Sequence, residues 1–171
     1  DKDTLECIGY FRSNSIIRET AARSLCVFQC LYTTPDRFLL SIEKNTYGDL
    51  FLDDLDDLVK DDPACSGWDP GTVVRYYNDS GSSFVRAIKI TPGNKTPHCL
   101  MFKISYETDK IVNTDEQFFL ELQNFCNDGN DHYKAAFGHD DTVMTAVQLE
   151  FVKSTLQYKL MLEEYKASRS G

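Results

Sequence analysis

The chain has few positive charges. It carries 18 Lys and Arg against 27 Asp and Glu, which gives a net charge of −9. Because phosphate contacts are made by Lys and Arg, this balance argues against tight, nonspecific nucleic-acid binding through the overall field of the fold. Only cations held by clustered acids, or a local concentration of basic side chains, would offset that field.

Long apolar runs and a phosphate loop are also missing from the sequence. No apolar run approaches the roughly 20 residues that span a bilayer, so no membrane contact is expected. No G-x-x-x-x-G-K-[ST] motif occurs, which excludes a P-loop ATPase motor from these residues. With 171 residues and 42 % apolar content, the chain suffices for one core, so a single domain over 1–171 is predicted.

Cysteine spacing indicates no metal finger. The chain has six cysteines, and they follow no positively charged, apolar leader. We therefore expect reduced thiols in a soluble, intracellular protein. The cysteines are Cys7, Cys26, Cys30, Cys65, Cys99 and Cys126.

Hydrophobic periodicity predicts an α/β protein. Residues 38–42 are nearly all apolar, which is typical of a strand covered on both faces. Turn formers between 61 and 97 indicate an inserted hairpin at about 67–95. The other predicted elements are strands at 4–11 and 110–112, helices at 16–31, 49–60 and 96–108, a strand or helix at 116–125, and a C-terminal helix at about 142–166.

Two acidic positions adjoin these elements. Asp140 and Asp141 stand directly before the last helix, where the helix dipole and unpaired N–H groups hold carboxylates charged and oriented. Glu43 stands at the carboxyl end of the buried strand, the edge where α/β sheets build ligand sites. The simpler interpretations are a helix N-cap for the Asp pair and a strand-end surface acid for Glu43.

A basic group falls in the hairpin segment, with Arg75, Arg86, Lys89 and Lys95 among Tyr76, Tyr77 and Phe84. We interpret these four basic residues as candidate DNA contacts. A solvated hairpin face is the alternative.

Several segments resemble, in order, the nuclease domain of the large terminase subunit of tailed bacteriophages. Tyr10–Ile16 is similar to that family's strand-to-helix junction, and Leu40–Gly48 to its strand ending in the second catalytic acid. Segments after the hairpin are similar as well. They are Lys95-Thr96 with its helix, Glu107–Ile111, Glu121–Phe125, Tyr133–Ala136 and the closing Gly138-His139-Asp140-Asp141-Thr142-Val143-Met144.

The resemblance implies a ribonuclease H-like fold, a mixed sheet flanked by helices with an inserted hairpin. It implies an endonuclease that cuts concatemeric double-stranded phage DNA with two Mg²⁺ or Mn²⁺ ions about 4 Å apart. Glu43 and Asp141 would be direct ligands, with Asp140 or His139 in a supporting or proton-handling role. The implied partners are the terminase ATPase portion, the portal and the small terminase subunit. The implied location is the cytoplasm of the infected bacterium, not the mature virion.

The sequence departs from the family at its first acid. In that family, the first catalytic Asp and the first strands precede the segment with which this chain begins, so both are expected to be missing here. The chain alone is then expected to be nearly inactive until an upstream piece is supplied. Two alternatives remain. One is a catalytically inert ribonuclease H-like interaction module of a packaging assembly, and the other is an unrelated α/β binding protein.

Overall fold

The computed structural model describes residues 5–6, 16–34, 37–44, 46–61, 75–77, 84–129 and 132–169. Six helices occur in these ranges: α1 (Arg18–Tyr32), α2 (Thr46–Asp61), α3 (Pro92–Glu107), α4 (Glu116–Asn124), α5 (Asp141–Ser154) and α6 (Leu156–Ser168). Six short strands also occur there: β1 (Leu5–Glu6), β2 (Arg75–Tyr77), β3 (Phe84–Arg86), β4 (Ile111–Val112), β5 (Phe125–Asn127) and β6 (Tyr133–Ala135).

The described strands form three two-stranded sheets. β1 and β4 pair in parallel, whereas β2–β3 and β5–β6 are antiparallel hairpins. The chain is therefore a mixed α/β protein, as the periodicity predicted. The antiparallel pair β2–β3 confirms a hairpin inside the predicted insert.

The chain divides into two compact units, and each has its own core. Unit 1 comprises Asp1–Arg12 and Ile90–Phe151, and unit 2 comprises Ser13–Lys89 and Val152–Gly171. This division into units does not test the single domain expected over 1–171, which stays a prediction. The core of unit 1 contains Cys99, Phe102, Ile111, Phe118, Val143, Ala146 and Val147. The core of unit 2 contains Cys26, Leu40, Leu52, Leu55 and Ala87.

Local capping explains where two helices of unit 1 begin. α3 begins at Pro92, four residues before the predicted start, because Thr91 and Asn94 form a capping box with reciprocal bonds of 2.8 and 3.3 Å. α4 resolves the ambiguous segment 116–125 as a helix, with the Asp115 carboxylate accepting from Phe118 N at 2.9 Å.

The strand predicted at 38–42 is reduced to isolated bridges. Glu43 bridges Ile88 in parallel, with bonds from Lys44 N to Ile88 O of 2.6 Å and from Ile88 N to Ile42 O of 2.7 Å. A longer ladder is prevented because Ala87, with φ 66, breaks the extended backbone between β3 and Ile88. Leu40 is nevertheless buried in the unit 2 core, as the apolar run indicated.

The single C-terminal helix predicted at about 142–166 is wrong at Thr155. This residue has extended backbone angles, φ −71 and ψ 150, and caps α6 by accepting from Tyr158 N at 3.3 Å. Its hydroxyl also donates to Val152 O at 2.6 Å, so one threonine closes α5 and starts α6.

The expectation of six reduced thiols is wrong at Cys26, which takes part in a disulfide bond. Among the described residues, Cys99 and Cys126 are free thiols, the first buried and the second exposed. Spacing along the chain does not reveal which sulfur atoms the fold brings within bonding distance.

Candidate functional site

The segment between β6 and α5 holds three of the predicted site residues. Gly138, at φ 79, turns the chain into His139 and Asp140. The Asp140 carbonyl accepts from Met144 N at 2.7 Å, so Asp140 is the residue that caps α5 with its backbone. Its carboxylate accepts from Ala135 N at 3.3 Å, which ties the segment to β6.

His139 and Asp141 point an imidazole and a carboxylate toward solvent. Their side chains are 68 % and 65 % exposed, and His139 Nδ1 lies 4.0 Å from Asp141 Oδ2. Asp141 is also the first residue of α5, where the positive end of the helix dipole stabilises a negative charge. The structure therefore brings His139, Asp140 and Asp141 together at one helix start.

Glu121 also acts on this segment, and the sequence interpretation did not assign it a role. It lies on α4 with 3 % exposure. Its Oε2 accepts from Thr142 N at 2.7 Å and from Thr142 Oγ1 at 2.6 Å, and its Oε1 accepts from Gln117 Nε2 at 3.0 Å. A helical reading of 116–125 would have placed Glu121 on the inner face with Phe118, three residues before it.

Cys99 lies in the core of unit 1, and the charge of Asp140 affects the pKa of its thiol. The pKa of the Cys99 thiol is raised to about 11, chiefly by burial; Lys95 lowers it and the Asp140 carboxylate adds to the rise. The thiol therefore stays protonated at neutral pH, and Cys99 packs in the core of unit 1. Lys95, a predicted DNA contact, is half-buried near the start of α3.

Glu43 belongs to unit 2, where its side chain is exposed. Its backbone is fixed by the bridge to Ile88 and by Gly48, the third residue of α2. A Cβ added to Gly48 would lie 2.1 Å from the Glu43 carbonyl oxygen. The predicted convergence of Glu43 with the Asp pair of unit 1 stays a prediction.

The other predicted DNA contacts also lie in unit 2. Arg75 and Arg86 are register partners across the β2–β3 hairpin, and Lys89 is exposed just beyond it. The hairpin therefore brings two of the four basic residues opposite each other, while Lys95 belongs to unit 1.

The donors for a divalent cation are few. Within the described ranges, no group of three or more His, Cys, Asp or Glu side chains is arranged to hold a metal ion. Mg²⁺ nevertheless binds proteins through one or two carboxylates, together with water and substrate phosphate, at about 2.0–2.1 Å. At this helix start, the exposed carboxylate is that of Asp141.

Comparison with known proteins adds no relative to this description. No protein-family model matches the chain, and no curated protein matches it. None of the helices in the described ranges has the length and apolar character that crossing a bilayer requires. The class that the structure itself defines is a mixed α/β protein with short sheets.

Proposed function

We propose that the chain is a metal-dependent DNA endonuclease domain with a ribonuclease H-like arrangement. One observation carries the proposal: an exposed carboxylate and an exposed imidazole, 4.0 Å apart, lie at a helix start whose flanking residues are tied down on both sides. A preorganised acidic site of this kind suits a hard divalent cation, which supplies an activated water and stabilises the leaving oxygen of a phosphodiester.

Each residue then has a distinct role. Asp141, whose side chain is 65 % exposed, is the proposed direct ligand, and Asp140, whose carboxylate accepts from Ala135 N, is the supporting acid. His139 moves a proton near the reacting water. The resemblance assigns Glu43 the role of the second acid in the two-metal set.

The finer assignment rests on the resemblance to the large terminase nuclease domain. On that basis the substrate is concatemeric double-stranded phage DNA, cut with Mg²⁺ or Mn²⁺ during genome packaging. The ATPase portion, the portal and the small terminase subunit are the proposed partners, and the host cytoplasm is the proposed place of action. Arg75, Arg86, Lys89 and Lys95 are the proposed phosphate contacts.

Manganese binding tests this proposal without requiring turnover. Titration calorimetry and thermal unfolding of the chain with MnCl₂ should show binding and stabilisation, both lost in Asp141→Ala and in Glu43→Ala. Glu116→Ala removes another exposed acid of unit 1 and should retain both effects. A metal response that survives in Asp141→Ala and Glu43→Ala would contradict the assignment.

Nicking of supercoiled plasmid DNA tests the reaction itself. We expect Mn²⁺-dependent cutting, abolished by EDTA and by Asp141→Ala, once the acid that completes the site is supplied on the same or a second polypeptide. Robust nicking that Glu43→Ala leaves intact would refute the role of Glu43.

The exposed acids of α2 favour a second candidate. Asp49, Asp53, Asp57 and Asp61 are exposed on that helix, which suits docking on a basic partner. A catalytically inert ribonuclease H-like module of a packaging assembly would use this surface. That candidate predicts no manganese response in any of the variants above.

A further inference from the structure

The dipeptide Asp128-Gly129 is the one place in the sequence where an aspartate precedes a glycine, and none of the nine glycines follows an asparagine. An aspartate in this position can cyclise, because the backbone nitrogen of the next residue can attack its Cγ atom. Glycine permits this best, since it has no side chain to block the close approach. The sequence therefore makes Asp128 the aspartate most suited to this reaction.

The structure places the dipeptide directly after β5, where space is open around the glycine. Gly129 has a φ of 92, and among the described residues nothing but its chain neighbours lies within 4 Å of a Cβ built on it. Asp128 N donates to His132 O at 3.1 Å, which closes the β5–β6 hairpin. Packing around Gly129 therefore does not prevent a succinimide ring from forming.

Contacts of the folded hairpin oppose the same reaction. Asp128 Oδ2 lies 3.1 Å from Lys134 Nζ and 3.7 Å from His132 Nδ1, and Gly129 N donates to Asn127 Oδ1 at 2.9 Å. In a succinimide that nitrogen carries no proton, and the carboxylate has become a neutral carbonyl. Cyclisation therefore breaks both the hydrogen bond to Asn127 and the ion pair with Lys134.

We propose that Asp128 is a site of spontaneous isomerisation to isoaspartate, slowed in the folded chain by Lys134 and Asn127. The Gly129 nitrogen bonds to Asp128 Cγ. One carboxylate oxygen leaves as water, with the proton of that nitrogen and one proton from solvent. Water then opens the ring at either carbonyl, which returns aspartate or gives isoaspartate, whose main chain runs through Cβ and Cγ. No oxidant or reductant takes part.

Isomerisation changes the hairpin that leads into the candidate site. β5 and β6 are in register from Phe125 opposite Ala135 to Asn127 opposite Tyr133, and an added main-chain carbon at position 128 lengthens their connection. Ala135 N also donates to the Asp140 carboxylate, so the change reaches the segment before α5. The inference itself rests only on contacts within unit 1 and does not depend on the proposed nuclease function.

Incubation of the folded chain in warm neutral buffer, followed by proteolysis and electron-transfer mass spectrometry, measures isoaspartate at each position. We expect it to accumulate at position 128 ahead of every other aspartate. In water enriched in oxygen-18 the same peptide should take up the label, because ring opening adds water. Asp128→Glu should abolish both signals, since its longer side chain would have to close a larger ring. No more isoaspartate at 128 than at the other aspartates would overturn the proposal.

Two variants test what slows the reaction. Lys134→Ala should raise the rate about two- to fivefold, as the loss of an exposed ion pair does, and Asn127→Ala about threefold, as the loss of one hydrogen bond does. Lys103→Ala is the matched control and should leave the rate unchanged, because Lys103 is another exposed lysine of unit 1, paired with Glu107 at 3.8 Å. Wild-type rates in Lys134→Ala and Asn127→Ala, or an equal rise in Lys103→Ala, would overturn the role of these contacts.

The chain unfolded in urea separates the effect of the contacts from a loss of folding. In urea, wild type and Lys134→Ala should isomerise at the same rate, and both faster than folded wild type, because the ion pair exists only in the folded hairpin. A difference between them that persists in urea would overturn the role of Lys134, as would equal wild-type rates with and without urea. A folded-buffer rate of Lys134→Ala as high as its rate in urea would indicate unfolding and would overturn that role too.

Discussion

Gly48 lies in the first turn of α2, against the backbone that carries Glu43. The Cβ of any other residue would lie 2.1 Å from the Glu43 carbonyl oxygen and 3.1 Å from Ile42 Cγ2. Because the nearer atom belongs to the backbone, it cannot rotate away as a flexible side chain can. At the scale of single residues, Gly48 therefore fixes how closely α2 approaches the predicted ligand of unit 2.

We accordingly expect Gly48→Ala to lower the free energy of unfolding by about 2–3 kcal/mol, as overpacking against backbone does. Urea denaturation measures the change. Gly93→Ala is the control, because its Cβ would have only Thr91 Oγ1 at 4.0 Å nearby, and a helical alanine should leave stability unchanged or raise it by up to about 1 kcal/mol. Equal effects of the two substitutions would contradict the close approach at Gly48.

Two free thiols among the described residues of unit 1, Cys99 and Cys126, differ in burial. Cys99 is 2 % exposed and its pKa is raised to about 11, whereas Cys126 is exposed. The thiolate is the reactive form, so iodoacetamide at pH 8 should label Cys126 at least about tenfold faster than Cys99. Peptide mass spectrometry measures both rates.

The raised pKa also sets the pH dependence of the Cys99 reaction. Since burial favours the neutral thiol, thiolate appears only as the pH rises from 9 toward 11, and labelling of the folded chain should increase through that range. Labelling of Cys99 that has already levelled off at pH 8 would contradict the burial.

At the scale of elements, caps and breaks decide where helices begin and end. Asp115 caps α4 through its carboxylate, and Thr155 separates α5 from α6. The helical spacing of apolar residues predicted α1 and α2 because that signal repeats over several turns. The break at Thr155 escaped prediction because one threonine inside a periodic pattern gives no comparable signal.

Asp115→Ala should lower the free energy of unfolding by about 1 kcal/mol, since Phe118 N loses its acceptor at the start of α4. Asp115→Ser should restore most of this loss because a serine hydroxyl also caps. Glu116→Ala removes the neighbouring exposed acid without touching the cap, and urea denaturation should show a smaller change. A loss from Glu116→Ala as large as that from Asp115→Ala would show that charge near the dipole, not capping, is measured.

At the scale of the whole molecule, the net charge bears on the proposed contact with DNA. A net charge of −9 repels a polyanion, so the proposed DNA contact depends on cations that reverse the local field. Four basic residues are assigned to DNA, and they divide between the two units, three in unit 2 and one in unit 1.

We therefore expect a fluorescent DNA duplex to bind about tenfold or more tightly in CaCl₂ than in EDTA at equal ionic strength, measured by anisotropy. Ca²⁺ is chosen so that DNA binding is measured apart from the cutting proposed with Mg²⁺ or Mn²⁺. Asp141→Ala should lose most of this difference, and Glu116→Ala should keep it. Equal affinities in CaCl₂ and EDTA would contradict a role for acid-bound cations in DNA recognition.

The sequence by itself determined the mixed α/β class, most helices, the β2–β3 hairpin and the acidic start of α5, because these depend on periodicity, turn residues and dipoles acting within a few residues of the chain. Only the tertiary structure decided that Glu121 reaches Thr142, that Cys26 is in a disulfide, that the segment ending at Glu43 makes bridges rather than a strand, and that the core is divided between two units. Such features depend on contacts between residues far apart in the sequence, and local sequence patterns do not specify those contacts.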